Sequence, residues 1–196
     1  MNTYYQMTEL EQWTEDLFRR LGVSHPSRIS IEYLSERLNI WVHYLDVPSK
    51  AVEAAAGTYS MFLDSRLSPE RQRLDFLHEL CHLLRHAGDG TLLPGRYTPA
   101  QEDEADRFVP YAAIPFSLFS SLPVPDKRTE AIGYVAETFQ VPEELALHRI
   151  DQIQRRILQG QLLAVAESTR VADNRNLSPR MASGGTSFYS SVHRKD

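Results

Sequence analysis

His78, Glu79 and His82 have the residue types and the spacing that suit hydrolysis at a metal ion. A helix turns about 100° per residue, so two histidines four apart stack on one face with their rings able to converge on one ion. Glu79 lies one step round the helix, close enough to reach a water at that ion but poorly placed to join the ion itself. Zinc suits such donors, because it takes three protein ligands and one water and lowers the pKa of that water towards about 7, within reach of a carboxylate base. The spacing assigns His78 and His82 as ligands of one Zn2+ ion and Glu79 as the general base of an amide hydrolysis. An amphipathic helix with two histidines at a core edge would show the same three residues, so the reading turns on a third ligand.

Glu102, Asp103, Glu104 and Asp106 offer four carboxylates beginning 20 residues after His82, and only one of them can sit on the metal. Glu102 and Asp106 are four apart and share a helix face, so Glu102 can bind zinc while Asp106 accepts a hydrogen bond from a ligand imidazole N–H. Asp103 and Glu104 read as a solvated acidic first turn that complements the helix dipole, with Glu104 pointing to roughly the opposite side. The extended pattern HExxHxxGxxH is excluded, because Arg85 stands at the glycine position and Gly88 at the last histidine. His86 and Asp89 lie nearby, and His86 falls at a helix C-terminus, where a protonated imidazole suits the dipole. Cys81, within the motif, reads as a small thiol packed against the core. Tyr97, Tyr111 and His86 are candidates for stabilising an oxyanion by proximity in sequence alone.

The elements that must hold these residues are legible from periodicity and caps. Thr8 to Glu11 form a capping box, and Leu10, Trp13, Leu17 and Leu21 recur at helical spacing until Gly22, which predicts a helix over residues 9–21. A shorter helix over residues 31–38 leads into the β-rich run 40–45, with a partner strand at 58–63. Ser68 and Pro69 open the motif helix, which runs through Leu74, Leu77, Cys81 and Leu84 to Gly88. After a glycine-rich connection at 88–96, Thr98 caps a carboxylate-bearing helix that Pro110 should interrupt and kink, and Pro115 close. Two more helices are expected at about 127–139 and 142–159, and from about Val171 the chain turns polar and reads as mobile.

Composition narrows the rest. The 196 residues are 42% hydrophobic and 24% charged with a formal net charge of -5, which suits a globular domain and gives no sign of a nucleic-acid surface. No apolar run approaches the length of a membrane span, and the N-terminus lacks the basic and apolar regions of a signal peptide, so a cytoplasmic location is expected. A single cysteine excludes an internal disulfide and fits a reducing compartment.

Residues 76–82, Phe-Leu-His-Glu-Leu-Cys-His, and 102–108, Glu-Asp-Glu-Ala-Asp-Arg-Phe, closed by Ile114-Pro115, resemble the ImmA/IrrE family of metallo-endopeptidases. The resemblance covers about residues 30–116; Cys81 stands where a glycine or other small residue is usual, Val109 replaces an alanine, and Pro110 breaks the helix pattern. Together with the elements read above, it leads to an expected α+β fold: a mainly helical zincin-like domain with a small β-sheet over residues 1–122, then a helix-turn-helix-like extension at 123–165 and a flexible tail at 166–196. It further implies an intracellular endopeptidase with a narrow protein substrate, a helix-turn-helix repressor. The alternative is a regulatory module that sequesters a repressor without cutting it, although such a binder has no use for the base Glu79.

The segment 131–150 itself resembles a helix-turn-helix, with Ala136 and Val141 at core-like positions and His148 and Arg149 able to face DNA. It lacks a basic face and the chain is acidic. The favoured expectation is therefore a helical pair packed on the catalytic domain, without direct nucleic-acid binding.

Overall fold

A computed structural model describes residues 4–55, 58–86 and 97–176. Helix α1, Glu9–Leu21, begins at Thr8, whose side chain accepts from the Glu11 amide, and ends at Gly22, whose φ of 75° only a glycine adopts without strain. A 3-10 turn, Pro26–Arg28, leads to α2, Ile31–Leu38, capped by Ser30 and closed by Asn39 at φ 54°. Three strands follow: β1, Ile40–Leu45; β2, Lys50–Ala55; and β3, Thr58–Asp64. They form one sheet in the order β1-β3-β2, with β1 parallel and β2 antiparallel to the central β3.

Strand β2 is absent from the sequence reading. Its residues, Lys-Ala-Val-Glu-Ala-Ala, have little β propensity, and its register against β3 shifts between Glu53 and Ala55. Pairing with β3 imposes the strand. Along β3 the alternate residues Met61 and Leu63 are fully buried, and with Ile40 of β1 and Ala51 of β2 they form the sheet's share of the core.

The motif helix α3, Pro69–Cys81, packs against this sheet on one side and against α4, Pro99–Ala113, on the other. Its core face carries Phe76, Leu77, Leu80 and Cys81, all fully buried. Each of the larger three gains about 1.5–3 kcal/mol by leaving water, which makes this face the anchor of the site. From His82 to His86 the backbone winds into a π-helical turn. The expected connection at 88–96 lies outside the described residues.

Helix α4 begins in a complete capping box, Thr98 with Gln101, and runs through Pro110 to Ala113 without the interruption expected there. Proline removes one amide donor, yet the Ile114 amide donates to the Pro110 carbonyl at 3.2 Å, so the helical pattern resumes past the gap. Ala105, Phe108, Pro110 and Ala112 are buried, and that packing outweighs the lost bond. Pro115 does follow the helix end and opens the short α5, Phe116–Phe119.

Helices α6, Arg128–Phe139, and α7, Glu143–Asn176, form the C-terminal pair. Helix α7 continues past residue 165, where a flexible tail was expected to begin; of that expected tail, residues 177–196 lie outside the described residues. Ala136, Val141, Ala146, Ile150 and Ile153 bury the inner faces of the pair, as Ala136 and Val141 led one to expect. Two buried arginines tie the pair to the rest. Arg73 of α3 donates to the carbonyls of Ile29 at 3.1 Å and of Phe139 and Gln140 at 2.5 and 2.6 Å, so the motif helix closes the end of α6. Arg149, fully buried, pairs with Glu11 of α1 and donates to the Ile114 carbonyl at 3.1 Å. A residue so placed cannot face DNA, which corrects that part of the sequence reading. The architecture is thus α+β and mainly helical, with a small mixed sheet and a helical C-terminal part. No helix among the described residues is long and apolar enough to cross a membrane.

Candidate metal centre

His78, near the end of α3, and His82, at the start of the π-helical turn, face Glu102 in the first turns of α4, while Glu79 faces β2. His78 Nε2 and His82 Nε2 lie 3.0 Å apart, and Glu102 Oε2 lies 3.2 Å from the first and 3.5 Å from the second. Among the described residues these three form the one group of histidine, cysteine or acidic side chains able to hold an ion. A tetrahedral ion with donors at about 2.0–2.1 Å separates those donors by about 3.3–3.4 Å, so the triangle seen here is the size that zinc requires.

Both rings have a polar neighbour at the outer nitrogen, Nδ1, as well as at Nε2. Asp106 Oδ1 lies 3.2 Å from His78 Nδ1, across the ring from the donor triangle. Asp106, one turn beyond Glu102 on α4, thus stands beside the His78 ring. His82 Nδ1 lies 2.9 Å from His86 Nδ1. Burial, reinforced by His78, pushes the His82 imidazole down to about 4, so the ring is neutral near pH 7, the form that ligates.

Glu79 does not join the triangle. Its Oε2 accepts a hydrogen bond of 2.8 Å from the Ala51 amide on β2, an edge strand of the sheet. Burial raises the pKa of the carboxyl above its ordinary value, while the Ala51 bond and His78 act in the opposite sense. A carboxylate made more basic and aimed by a main-chain donor is suited to accept a proton. Nothing in the sequence marked Ala51 for this part, because it depends on the unrecognised β2.

The remaining candidates separate cleanly. Cys81 is fully buried, and burial pushes its thiol up to about 12, so it packs as expected and is neither ligand nor nucleophile. Tyr111 is committed elsewhere: its hydroxyl accepts from Arg156 at 2.6 Å and from Gln152 at 3.4 Å. Tyr97 belongs to the centre, its ring stacked on His82 at 3.6 Å and 2°. His86 stays outside the donor triangle. Glu104, expected to be solvated, instead pairs with Arg85 and lies 3.3 Å from His86 Nε2. Asp103 is exposed, as expected of a first-turn carboxylate.

A mainly helical domain with a small mixed sheet, a His-Glu-x-x-His helix and a glutamate from the next helix defines a protein of metallopeptidase type. The chain belongs to the peptidase M78 family, the IrrE N-terminal-like domain, which it matches over residues 35–151. It is 34% identical to the phage-like element PBSX protein XkdA of Bacillus subtilis (strain 168) over 150 residues, 76% of this chain and 75% of that protein. It is also 32% identical to the uncharacterized protein YqaB of the same organism over 155 residues, 79% of this chain and 90% of that one.

Proposed function

We propose that the chain is a zinc-dependent endopeptidase that hydrolyses one specific regulatory protein, a helix-turn-helix repressor, in the cytoplasm. The observation that carries the hydrolytic part is the convergence of His78 Nε2, His82 Nε2 and Glu102 Oε2 beside a partly buried Glu79 held by the Ala51 amide. The repressor part draws on the resemblance to ImmA/IrrE proteins and agrees with a relative named as a phage-like element protein. Direct contact with nucleic acid is not part of the proposal, since Arg149 is spent on Glu11 inside the protein.

Zinc held by His78, His82 and Glu102 would supply Lewis acidity, acidifying a water and polarising the scissile carbonyl. Glu79 takes a proton from the attacking water as its oxygen bonds to the carbonyl carbon. It returns that proton to the amide nitrogen as the C–N bond breaks. The Ala51 amide keeps the carboxylate turned to one side throughout. Asp106 holds the His78 ring by its outer nitrogen, so that Nε2 is the atom offered to the ion.

Glu79→Gln tests this reading and finds the substrate. The variant, loaded with zinc, should retain its substrate on a column, and the captured protein should be cut by the wild type but not by the variant or by chelator-treated wild type. If the variant relieves repression as well as the wild type does, sequestration without cleavage replaces hydrolysis.

A further inference from the structure

The fifth residue of the π-helical turn, His86, stands behind His82 on the side away from the donor triangle. Its Nδ1 is 2.9 Å from His82 Nδ1, and its Nε2 is 3.3 Å from Glu104 Oε2. The His86 side chain is only 6% exposed and that of Glu104 25%, so these contacts are largely shielded from solvent. Glu104 is fixed in turn by Arg85, whose guanidinium lies 4.9 Å from the Trp13 ring centroid of α1. The chain Trp13, Arg85, Glu104, His86, His82 therefore runs inward from α1 to the metal centre.

The proton positions follow from the partners. Glu104, as a carboxylate, only accepts, so His86 Nε2 carries a proton and donates to it. That leaves His86 Nδ1 bare as an acceptor, and His82 Nδ1–H donates to it. His82 Nε2 is then the nitrogen with a free lone pair, and it is the one 3.5 Å from Glu102 Oε2. Beside the other ring, Asp106 Oδ1 lies 3.2 Å from His78 Nδ1. A π turn is an uncommon geometry that recurs at functional sites, and here, following α3, it sets two histidines side by side, outer nitrogen to outer nitrogen.

We propose that Glu104 and His86 form a hydrogen-bonded arm that positions His82 and fixes its tautomer for the metal. The proposal rests on the reading of His78, His82 and Glu102 as ligands. His86 is a positioning residue that touches neither the ion nor the substrate, and removing its contact weakens the hold on the metal by about 10- to 100-fold, as loss of a ligand's hydrogen-bond partner does elsewhere.

Three substitutions separate the contacts. In His86→Asn the side-chain oxygen takes the place of Nδ1 and can still accept from His82; in His86→Gln the polar end falls near Nε2 and reaches only towards Glu104; in His86→Leu both contacts are gone. Zinc affinity is measured by competition with a chromophoric chelator, the visible spectrum of the cobalt-substituted protein reports ligand geometry, and thermal unfolding of the metal-stripped forms measures stability. Affinity is expected near wild type for Asn and reduced about 10- to 100-fold for Gln and Leu, with an altered cobalt spectrum and little change in the stripped proteins' melting temperatures. The proposal is overturned if Gln and Leu bind zinc as tightly as the wild type, or if affinity merely tracks the stability of the stripped forms. A wild type that binds no zinc would instead overturn the ligand reading itself, so the two failures are distinct.

Discussion

The Glu79 carboxylate accepts a hydrogen bond from the main-chain amide of Ala51 at 2.8 Å, joining the motif helix to the edge strand β2. Glutamine at position 79 keeps an oxygen for that amide and nearly the same volume, so it removes the base without disturbing the packing. Zinc content of Glu79→Gln should equal that of the wild type, while turnover of the captured substrate falls by about 10²–10⁴-fold. Metal analysis and a cleavage assay on one preparation check both halves.

Glu102 and Asp106 project from successive turns of α4 and do different work. Glu102→Gln replaces a charged donor with a neutral amide and should leave the protein short of one zinc per chain after dialysis. Asp106→Ala leaves all three donors in place but frees the outer nitrogen of His78, and should weaken zinc binding by about 10- to 100-fold. Equal zinc content in Glu102→Gln and wild type after dialysis would remove Glu102 from the ligand set.

Far from the metal, Glu11 is 1% exposed and pairs with both the buried Arg149 and Arg156. A glutamine there leaves the Arg149 guanidinium charged and without a carboxylate inside the protein. Breaking a buried pair in this way costs about 3–5 kcal/mol. Urea unfolding of Glu11→Gln should show a loss of that order, with α1 and α7 losing protection from hydrogen exchange together.

Tyr5 belongs to the same cluster, stacked on Phe116 at 3.7 Å and donating its hydroxyl to Glu11 at 2.6 Å. Burial pushes the phenol up to about 12, and the bond to Glu11 adds to that rise, against the pull of Arg149 and Arg156. An acid whose pKa is raised by folding stabilises the protein fully below its unfolded value of about 10, and that contribution is lost as the pH rises towards 12. Stability should therefore fall between pH 10 and 12 more steeply in the wild type than in Tyr5→Phe, as chemical denaturation across that range would show.

The legible parts of the fold were those that local pattern determines. Thr8, Ser68 and Thr98 mark helix starts through caps, and the spacing of His78 and His82 specifies a shared face, so α1, α3, the start of α4 and the donor pair could be read directly. What escaped depends on partners distant in sequence. Strand β2 exists because β3 pairs with it, and without it the Ala51 amide has no reason to meet Glu79. Arg149 reads as a surface residue of a helix-turn-helix until Glu11, 138 positions earlier, is brought against it. Glu104 reads as a solvated first-turn carboxylate until the π turn, which no periodicity announces, delivers Arg85 and His86 to it. Helix α7 outran its expected end because the apolar residues beyond 159, Leu162, Leu163 and Val165 among them, are exposed and line no buried face that periodicity could mark.

The most direct test of the metal centre is an anomalous-scattering map collected at the zinc edge from crystals of the wild-type protein. One peak is expected within about 2.0–2.2 Å of His78 Nε2, His82 Nε2 and a Glu102 oxygen, with Glu79 beside it but outside bonding distance. A peak held by His86 or Glu104 in place of Glu102, or no peak from zinc-saturated protein, would contradict it.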